Sequence, residues 1–410
     1  MHDFYDALET RDPAAREAAL MAALPQQVAH AQATCPAYAA LLMGIDAAAV
    51  TSRAALAALP LTRKSSLAAA QAAQRALRFG GFASGAPRRV FQSPGPLYEP
   101  EPAAQGDDPW RVARALHAAG IRAGELAHVG FSYHLTPAGA MMEGGLRALG
   151  AASFPGGVGN TELQLQALLD LQSEAYAGTP SLLRILLEKA AEGGHALGLR
   201  HALVSGEACP PALVAWFAEQ GVEVFQCYAT ADLGLIAYQT SAREGLVLDE
   251  GVIVEIVRPG TGDPVPDGEV GEVVVTTLSP GYPLIRFATG DLSAVLPGAC
   301  ATGRTNQRLR GWLGRADQSA KVRGMFVHAG QVAEVLKRHP ELGRARLVVE
   351  GEMADDRMTL QVEADGAPEG LAAAVAATLR DITKLRGEVS LVPRGSLPND
   401  GRVIEDRRAV

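Results

Sequence analysis

The sequence predicts an α/β protein, in which a large N-terminal domain has mostly parallel sheets flanked by helices and a small β subdomain, followed by a small, mobile α+β C-terminal domain. Three observations lead to this fold class. The chain has 410 residues, more than the roughly 250 to 300 that one hydrophobic core usually serves. Short apolar runs alternate with helical patterns between residues 108 and 232, and the apolar period then changes to two. In the last segment, residues 315–410, short apolar runs again alternate with helical patterns, over fewer elements.

The first hundred residues precede this regular alternation. Asp12-Pro13 predicts a helix N-cap followed by a proline in the first turn, and we expect Pro25 and Pro36 to interrupt the helical pattern of residues 12–43. Residues 80–108 hold many glycines and prolines and little periodicity, which predicts a loop or an edge strand. A loop of this length inside a compact body is usually functional or disordered.

The alternation between residues 108 and 232 predicts a mostly parallel sheet covered on both faces. Ligands of such sheets bind beyond the carboxyl ends of the strands. Strands are expected at 126–131, 151–154, 175–177, 202–205 and 222–228, with helices at 138–149, 161–172, 180–191 and 210–220. The small and polar residues of the region fall at the strand ends, namely 132–134, 155–157, 178–180, 206–207 and 229–232.

The remaining elements follow from the period-two pattern and from a second, smaller alternation. Apolar runs at 252–257 and 272–278 predict an antiparallel hairpin within a β subdomain over about residues 233–313. We expect the N-terminal domain to end at residue 314, with a hinge near Asp317. The C-terminal domain then has predicted helices at 330–338 and 369–385 and strands at 345–350, 358–363 and 389–392.

Charge and composition exclude several classes of function. The formal net charge of -8 and the absence of a run of lysines and arginines argue against a nucleic-acid surface. The N-terminus has no signal-like apolar stretch, and no window approaches 18 apolar residues, so we expect a cytoplasmic protein without membrane insertion. The four cysteines form no C-x-x-C pair and are expected to be free, mostly buried thiols.

Two short segments have the residue types of a nucleotide site. Tyr228-Ala229-Thr230-Ala231-Asp232 brings a hydroxyl, a carboxylate and backbone amides to a strand end, which suits a phosphate group and its Mg²⁺. An ordinary turn explains the same residues equally well. Asp291 follows a Thr-Gly turn, and a carboxylate there can accept hydrogen bonds from both hydroxyls of a ribose. An Asp that caps its own turn is an equal alternative.

Other candidates are weaker when taken alone. As isolated residues, Lys321 and Arg323 fit solvated surface charges better than a site, and Gly206-Glu207 fits a simple turn. Gly156-Gly157 lacks the spacing and acidic partner of a dinucleotide-binding fingerprint, so a loop is expected. The nine histidines show no ligand spacing, and His134 is the one that we expect in the pocket.

Four motifs in order resemble those of AMP-forming adenylating enzymes. They are YATADLG (228–234), PLIRFATGDL (283–292), LGRADQSAKVRG (313–324) and LPNDGRVIED (397–406). LPLTRKSSL near residue 60 and FPGGVGNTELQ near residue 160 are similar to the phenylacetate-CoA ligase branch, so the resemblance extends over nearly the whole chain. Four motifs in the same order are far more specific than any one of them.

The resemblance implies an enzyme that forms an acyl-adenylate from a carboxylic acid and MgATP, rotates its C-terminal domain, and transfers the acyl group to CoA. An aromatic, phenylacetate-like acid is the expected substrate, and an aliphatic acid is an open alternative because it fits the same pocket residues. Attack of a carboxylate on phosphorus brings negative charges together, so the site needs cations and oriented amides. A two-step reaction in one crevice also needs a moving lid.

The same resemblance assigns roles to individual residues. At AMP and its phosphate, the resemblance implies contacts with Tyr228, Ala229, Thr230 and Asp232, and Asp232 would also bind Mg²⁺. Adenine would lie beside Gly206, Glu207 and Ala208. The ribose would contact Asp291 and Arg315. The implied acid pocket consists of Phe131, Tyr133, His134, Gly156 and Gly157. Asp317 is the implied hinge, and Lys321, Arg323 and Gly324 are expected to swing towards the CoA channel. The catalytic candidates are Thr230, Asp232, Lys321 and Arg402.

Two departures from the family pattern bear on catalysis. The Ser/Thr/Gly-rich phosphate loop of the family is replaced by FQSPGPLYEPE (91–101), in which prolines remove amide donors and Glu99 and Glu101 add negative charge. Arg402 stands where the family usually has the Lys that stabilises the adenylation transition state, and the two side chains are not equivalent donors. A homologue that binds AMP, an acyl-CoA or a carrier protein without efficient adenylation is therefore a second hypothesis. Transfer to an acyl-carrier protein is a third, and a homodimer is a further expectation from the family.

Overall fold

The computed structural model describes residues 4–93, 95–102, 106–258, 261–313, 315–316, 319–323, 325–351, 356–366, 368–398 and 402–408. The chain divides into two compact units, Met1–Leu313 and Gly314–Val410. Both units combine helices with sheets, so the predicted α/β class is confirmed. The predicted hinge residue Asp317 lies outside the described residues.

Some helices of the first unit begin after a residue whose side chain accepts a hydrogen bond from a free backbone amide. Asp12 accepts a hydrogen bond from Ala15 N, and Pro13 occupies the first turn, as predicted. Thr179 caps the helix that starts at Pro180. The helices are α1 (Pro13–Thr34), α2 (Pro36–Leu41), α3 (Arg53–Ala57), α4 (Lys64–Ala73), α5 (Ala113–Ala118), α6 (Ala138–Leu149), α7 (Thr161–Leu171), α8 (Pro180–Glu192) and α9 (Pro211–Glu219).

Pro25 lies inside α1, so the expected interruption at this residue is wrong. A proline within a helix costs about 3 kcal/mol. Leu24 and Val28, on either side of it, are fully buried, and burial of each such side chain contributes about 1.5–3 kcal/mol. Tertiary packing of the apolar face therefore outweighs the local penalty. Pro36 does separate two helices, as expected, because α2 begins there.

The strands of the first unit form two main sheets and a separate hairpin. Their bounds are β1 (Thr62–Arg63), β2 (Val90–Ser93), β3 (Leu97–Pro100), β4 (Leu126–Gly130), β5 (Ala152–Phe154), β6 (Ala175–Gly178), β7 (His201–Val204), β8 (Glu223–Thr230), β9 (Gly234–Tyr238), β10 (Leu246–Leu248), β11 (Val252–Val257), β12 (Gly271–Thr277), β13 (Phe287–Ser293), β14 (Val295–Leu296) and β15 (Arg308–Leu309).

The central sheet, within the described residues, has the strand order β14-β15-β10-β9-β8-β7-β6-β4-β5. Its half from β5 to β8 is parallel, which confirms the prediction for residues 108–232. The other half is antiparallel. It was not predicted, because β9 turns back on β8 after only three residues and its apolar run resembles another buried parallel strand.

The second sheet has the order β1-β13-β12-β11. β11 and β12 pair in antiparallel register from Val252 opposite Thr277 to Val257 opposite Glu272, as the period-two pattern predicts. β1 runs parallel to β13 and joins the start of α4 to this sheet. Part of the region expected as loop or edge strand forms the hairpin of β2 and β3.

The second unit contains the predicted helices and strands together with β16, β17 and β21, which were not predicted. Its larger sheet has the order β20-β19-β18-β21, and its core includes Leu347, Leu360 and Leu379, all fully buried. The bounds are β16 (Ser319–Val322), β17 (Met325–His328), α10 (Ala329–Arg338), β18 (Ala345–Glu350), β19 (Arg357–Ala364), α11 (Leu371–Thr383), β20 (Glu388–Pro393) and β21 (Ile404–Asp406).

Buried ion pairs attach the N-terminal segment to the central sheet. Glu9 is 1% exposed and accepts hydrogen bonds from Arg304 Nε at 2.9 Å and from Tyr238 Oη at 2.5 Å. Arg16 donates to Glu250 at 2.9 Å, again with both side chains buried. These contacts join residues more than two hundred positions apart and hold the first helix against the sheet.

The cysteines, the helices and the metal-ligating side chains each bear on whether the chain has other kinds of site. All four cysteines are buried free thiols, as predicted. In the part of the chain that the structure describes, no helix is both long and apolar enough to cross a membrane. No group of three or more His, Cys, Asp or Glu side chains in that part is placed to hold a metal ion.

Candidate active site

The carboxyl ends of β4, β6, β7 and β8 meet at one edge of the central sheet, because these strands are parallel. Phe131 follows β4 and is buried, and a Cβ built on Gly206 would lie 3.6 Å from its ring. Gly206, after β7, has a φ of +80°, which L side chains rarely adopt. Sequence reasoning thus placed these two candidate residues correctly at the same edge.

Tyr228 and Asp291 bring the two main sheets together. Tyr228 near the end of β8 donates a hydrogen bond from Oη to Asp291 Oδ2 on β13 at 2.8 Å. Trp312 Nε1 donates to the other carboxylate oxygen, Oδ1, at 3.0 Å. Thr289 accepts a second, longer contact from Tyr228 Oη at 3.2 Å. Asp291 is 8% exposed, so its carboxylate is held in one orientation at the junction of the sheets.

Asp232 lies in the turn between β8 and β9. Thr230 Oγ1 accepts a hydrogen bond from Leu233 N at 3.1 Å and thereby closes this turn. Asp232 is 4% exposed, and its Oδ2 is 3.1 Å from Nζ of Lys64, the first residue of α4. The carboxylate therefore has a cation beside it, supplied from a residue 168 positions earlier in the chain.

Glu99 of β3 completes a three-residue charge cluster with Lys64 and Asp232. Its Oε1 lies 3.6 Å from Lys64 Nζ and accepts a hydrogen bond from Ser93 Oγ at 3.1 Å. Burial, together with the charge of Asp232 and a hydrogen bond to it, raises the pKa of Glu99 well above its ordinary value. Burial lowers the pKa of Lys64, but the charges of the two carboxyl groups outweigh this effect and raise it overall.

Among the described residues, two oxygen atoms of this cluster, as long as both carboxyl groups are ionised, and the nearby hydroxyl of Tyr282 have no hydrogen-bond donor. Glu99 Oε2, Asp232 Oδ1 and Tyr282 Oη are buried without such a partner among the described residues. Tyr282 is 2% exposed, and burial followed by the charges of Asp232 and Glu99 raises its pKa. Buried polar atoms are normally paired in native proteins, so this group indicates a place where a ligand or a proton is accommodated.

Each of the two glutamates of the altered phosphate loop has a basic side chain beside it. Glu99 faces Lys64, and Glu101 forms a two-bond ion pair with Arg89, with both N–O distances at 2.9 Å. Glu101 thus has a cation of its own, whereas Glu99 shares Lys64 with Asp232, so the two negative charges that the sequence adds are compensated only in part. Pro94 lies outside the described residues.

The predicted acid-pocket residues lie near the same edge with different exposures. Tyr133 is partly buried, its ring packs against Gly139, and its Oη is buried without a hydrogen-bond partner among the described residues. His134 is exposed. Gly156 is close to buried His128, because a Cβ there would lie 2.4 Å from Nε2, whereas Gly157 has open space and a φ of +73°. Glu207 accepts a hydrogen bond from Ser181 N at 3.4 Å, and Ala208 and Gly206 are exposed.

The remaining candidate residues belong to the second unit, Gly314–Val410. Lys321 lies on β16 opposite Phe326. Arg323 adopts a left-handed backbone with a φ of +47°, and its Nη2 donates to the backbone oxygen of Asp356 at 3.0 Å. Arg402 is exposed and precedes β21. Arg315 lies in the described range 315–316. Gly324, like Asp317, lies outside the described residues.

Sequence reasoning missed four residues that contribute to the site. They are Lys64, Trp312 and Tyr282, which were not singled out, and Glu99, which was treated only as an unfavourable charge. The signal for Glu99 is the alternation of the hairpin, since Leu97 and Glu99 are buried and Tyr98 between them is 51% exposed. No local pattern marks Lys64 as a partner of Asp232.

Comparison with known proteins identifies the family. The pattern of AMP-binding enzymes matches residues 133–282. A phenylacetate-coenzyme A ligase from Thermus thermophilus is 30% identical over 317 residues, which cover 70% of this chain and 71% of that protein. A phenylacetate-coenzyme A ligase from Aromatoleum evansii is 30% identical over 268 residues, 62% of this chain and 60% of that protein.

A solved structure agrees with these relatives. The crystal structure of 2-hydroxyisobutyryl-CoA ligase in complex with 2-HIB-AMP and CoA has a TM-score of 0.79 and 26% sequence identity. It covers 98% of this chain, and this chain covers 91% of it. The order of motifs, the fold and the extent of these similarities show that the chain belongs to the phenylacetate-coenzyme A ligase family of AMP-forming acid–CoA ligases.

Proposed function

We propose that this ligase activates an aromatic, phenylacetate-like carboxylic acid with MgATP and transfers the acyl group from the acyl-adenylate to CoA. The observation that carries the proposal is the hydrogen bond between Tyr228 and Asp291 where the two sheets meet, with Asp232 in the turn that directly follows β8. The names of the curated relatives support the aromatic acid. Because the solved structure of a 2-hydroxyisobutyryl-CoA ligase is similar to this chain, a short hydroxy acid is the main alternative substrate.

In the first half-reaction, a carboxylate oxygen of the acid attacks the α-phosphorus of ATP, and pyrophosphate leaves. Asp291 accepts hydrogen bonds from the ribose hydroxyls, while Tyr228 keeps the carboxylate in position. Gly206, Glu207 and Ala208 lie beside adenine, and the Thr230 hydroxyl donates to a phosphate oxygen. Positive and hydrogen-bonding groups of this kind act where negative charge develops.

Mg²⁺ fits the residues present at the turn after β8. Asp232 Oδ1 is a buried carboxylate oxygen without a donor in the part of the chain that the structure describes, and carboxylate oxygens are preferred ligands of Mg²⁺. When bound, the ion neutralises charge on the phosphates during transfer. Lys64 shares the carboxylate of Asp232, so the approach of a second cation requires that this ion pair loosens.

In the second half-reaction, the thiol sulfur of CoA attacks the acyl carbon, AMP leaves and the thiol proton is released. We assign this step to a lid formed by residues 315–410, with the hinge at Asp317, and with Lys321, Arg323 and Gly324 facing the CoA channel. Arg315 contacts ribose, and Arg402 acts in the first half-reaction. Phe131, Tyr133, His134, Gly156 and Gly157 line the acid pocket.

A member of the family that binds AMP, an acyl-CoA or a carrier protein with little adenylation is the second candidate. The ion pair between Lys64 and Asp232 and the replacement of the usual Lys by Arg402 favour it. A lost transition-state contact costs about 10² to 10³ in rate. The family also suggests a homodimer, which sedimentation of the purified protein tests.

The deciding experiment is ATP–pyrophosphate exchange with a panel of acids. Phenylacetate, benzoate, 2-hydroxyisobutyrate and octanoate are incubated with ATP and Mg²⁺, and CoA or a phosphopantetheinylated carrier protein is then added as acceptor. We expect the fastest exchange with phenylacetate and thioester formation with CoA. Faster exchange with 2-hydroxyisobutyrate refutes the aromatic assignment. Tight AMP binding without exchange with any acid supports the second candidate.

A further inference from the structure

The hairpin of β2 and β3 directs one carboxylate into the interior. Leu97 and Glu99 are almost fully buried, whereas Tyr98 between them is 51% exposed, so Glu99 occupies an inward position of a strand. A carboxylate in this position is costly unless a cation or donors compensate its charge. Glu99 has Lys64 at 3.6 Å and Ser93 at 3.1 Å, both at the same oxygen, Oε1.

The two acidic side chains of the cluster share a single lysine. Lys64 Nζ contacts Oδ2 of Asp232 and Oε1 of Glu99. The other oxygen of each carboxyl group, Asp232 Oδ1 and Glu99 Oε2, is buried without a donor among the described residues. Tyr282 Oη is a third buried oxygen without a partner there, and burial followed by the charges of Asp232 and Glu99 raises its pKa.

We infer that Glu99 is a second carboxylate ligand, beside Asp232, for the divalent cation that accompanies ATP, and that Lys64 competes with this cation for both carboxylates. The inference rests on the proposed use of MgATP. Mg²⁺ and Mn²⁺ take oxygen ligands, and carboxylates are the strongest of those that a protein supplies. Two carboxylates match the charge of one divalent ion, whereas the single charge of Lys64 compensates only one of them.

As a ligand of the cation, Glu99 would give the hairpin of β2 and β3 a role in phosphate binding. The segment that replaces the family's phosphate loop is poor in amide donors because of its prolines. A cation held jointly by the hairpin and the turn after β8 would bind phosphate oxygens in place of those donors. Ser93 positions Glu99 by donating to Oε1 and leaves Oε2 for the cation.

Binding of Mn²⁺, a paramagnetic substitute for Mg²⁺, tests the inference. Free Mn²⁺ is quantified by electron paramagnetic resonance during titration of the full chain, both without nucleotide and with ATP. We expect Glu99→Gln and Asp232→Asn each to weaken Mn²⁺ binding by at least about 10-fold, the range typical of disturbed metal sites. Lys64→Met should strengthen it, because the competing ammonium is removed.

Glu101→Gln is the matched control. Glu101 is a buried carboxylate just beyond β3, but it is paired with Arg89 and has no contact with Lys64 among the described ion pairs. This variant should bind Mn²⁺ like the wild type. Circular dichroism and thermal unfolding of each variant identify those that fail to fold, and Lys64→Met provides a gain of affinity that misfolding cannot mimic.

The outcomes separate this inference from the proposed function. Unchanged Mn²⁺ affinity in Glu99→Gln, or weaker binding in Lys64→Met, overturns the inference even if pyrophosphate exchange is rapid. Absence of Mn²⁺ binding by the wild type in both titrations also overturns it. Absence of exchange with any acid, together with Mn²⁺ binding that depends on Glu99, refutes the proposed reaction and leaves the metal site standing.

Discussion

Tyr228 Oη lies 2.8 Å from Asp291 Oδ2, and this hydrogen bond links β8 of the central sheet with β13 of the second sheet. The residues are 63 positions apart in the chain. A carboxylate can accept about four hydrogen bonds. Tyr228 and Trp312 can therefore orient Asp291 while it accepts further bonds from a ribose.

Asp291→Asn should weaken AMP binding by about 10- to 100-fold. A hydrogen bond to a charged group contributes about 1.5–3 kcal/mol, and every 1.4 kcal/mol corresponds to about tenfold in affinity. Tyr228→Phe removes the positioning bond and the longer contact with Thr289 but leaves the carboxylate of Asp291, so its effect should be smaller. Isothermal titration calorimetry with AMP measures both. Asp170→Asn, at an exposed surface position, should leave the affinity unchanged, and wild-type affinity in Asp291→Asn would rule out the ribose contact.

The period of the apolar residues was sufficient to predict most of the fold. The parallel strands from β4 to β8 and the hairpin of β11 and β12 lie within a few residues of their expected positions. These elements are buried on one or both faces, and burial imposes the period that the sequence shows. Short strands such as β14 and β15, of two residues each, leave no period to detect.

The site was predictable where each residue lies at the end of its own element. Thr230 ends β8 and Asp232 lies in the turn after it, so both are at the carboxyl end of the strand, where the prediction put them. The ion pair of Lys64 with Asp232 depends on how α4 packs against a turn 168 positions later. The residues around either partner do not indicate this contact. Trp312 was missed for the same reason, since its contact with Asp291 joins β13 to a segment without regular structure.

Arg402→Lys should accelerate the first half-reaction. The ammonium of Lys is a compact point charge, whereas the guanidinium of Arg is planar and hydrated differently. If Arg402 stands in for the Lys that the family uses, restoring it recovers part of a contact that is typically worth about 10² to 10³ in rate. ATP–pyrophosphate exchange measures this step. Thioester formation from preformed acyl-adenylate should change less, and an unchanged or lower exchange rate would contradict the assignment.

Glu9→Ala should destabilise the first unit by about 3–5 kcal/mol. The substitution leaves the buried guanidinium of Arg304 without its carboxylate, and removing one partner of a buried ion pair has a cost of this size. Urea unfolding followed by tryptophan fluorescence measures the loss. Glu188→Ala breaks an exposed pair with Arg184 on α8 and should cost only about 0.3–0.5 kcal/mol. Equal effects of the two substitutions would contradict the proposed anchoring role.

The stability of the protein should fall with decreasing pH partly because of His128. This residue is fully buried, its ring stacks near Phe154 at 5.3 Å, and its Nε2 lies 2.7 Å from Gln164 Oε1. Burial lowers its pKa below the ordinary value of 6.5, against a smaller upward effect of Gln164. The fold therefore favours the neutral ring. The contribution of His128 is fully present above pH 6.5 and is lost as the pH falls through the lowered folded-state pKa.

His128→Gln isolates this contribution, because glutamine can still donate to Gln164 but does not titrate near neutral pH. Urea unfolding between pH 7 and 5 should show a shallower loss of stability in the variant than in the wild type, together with lower stability at pH 7 from the lost ring packing. His195→Gln changes an exposed histidine and should retain the wild-type slope. Identical slopes for His128→Gln and the wild type would mean that protonation of the buried ring does not limit stability in acid.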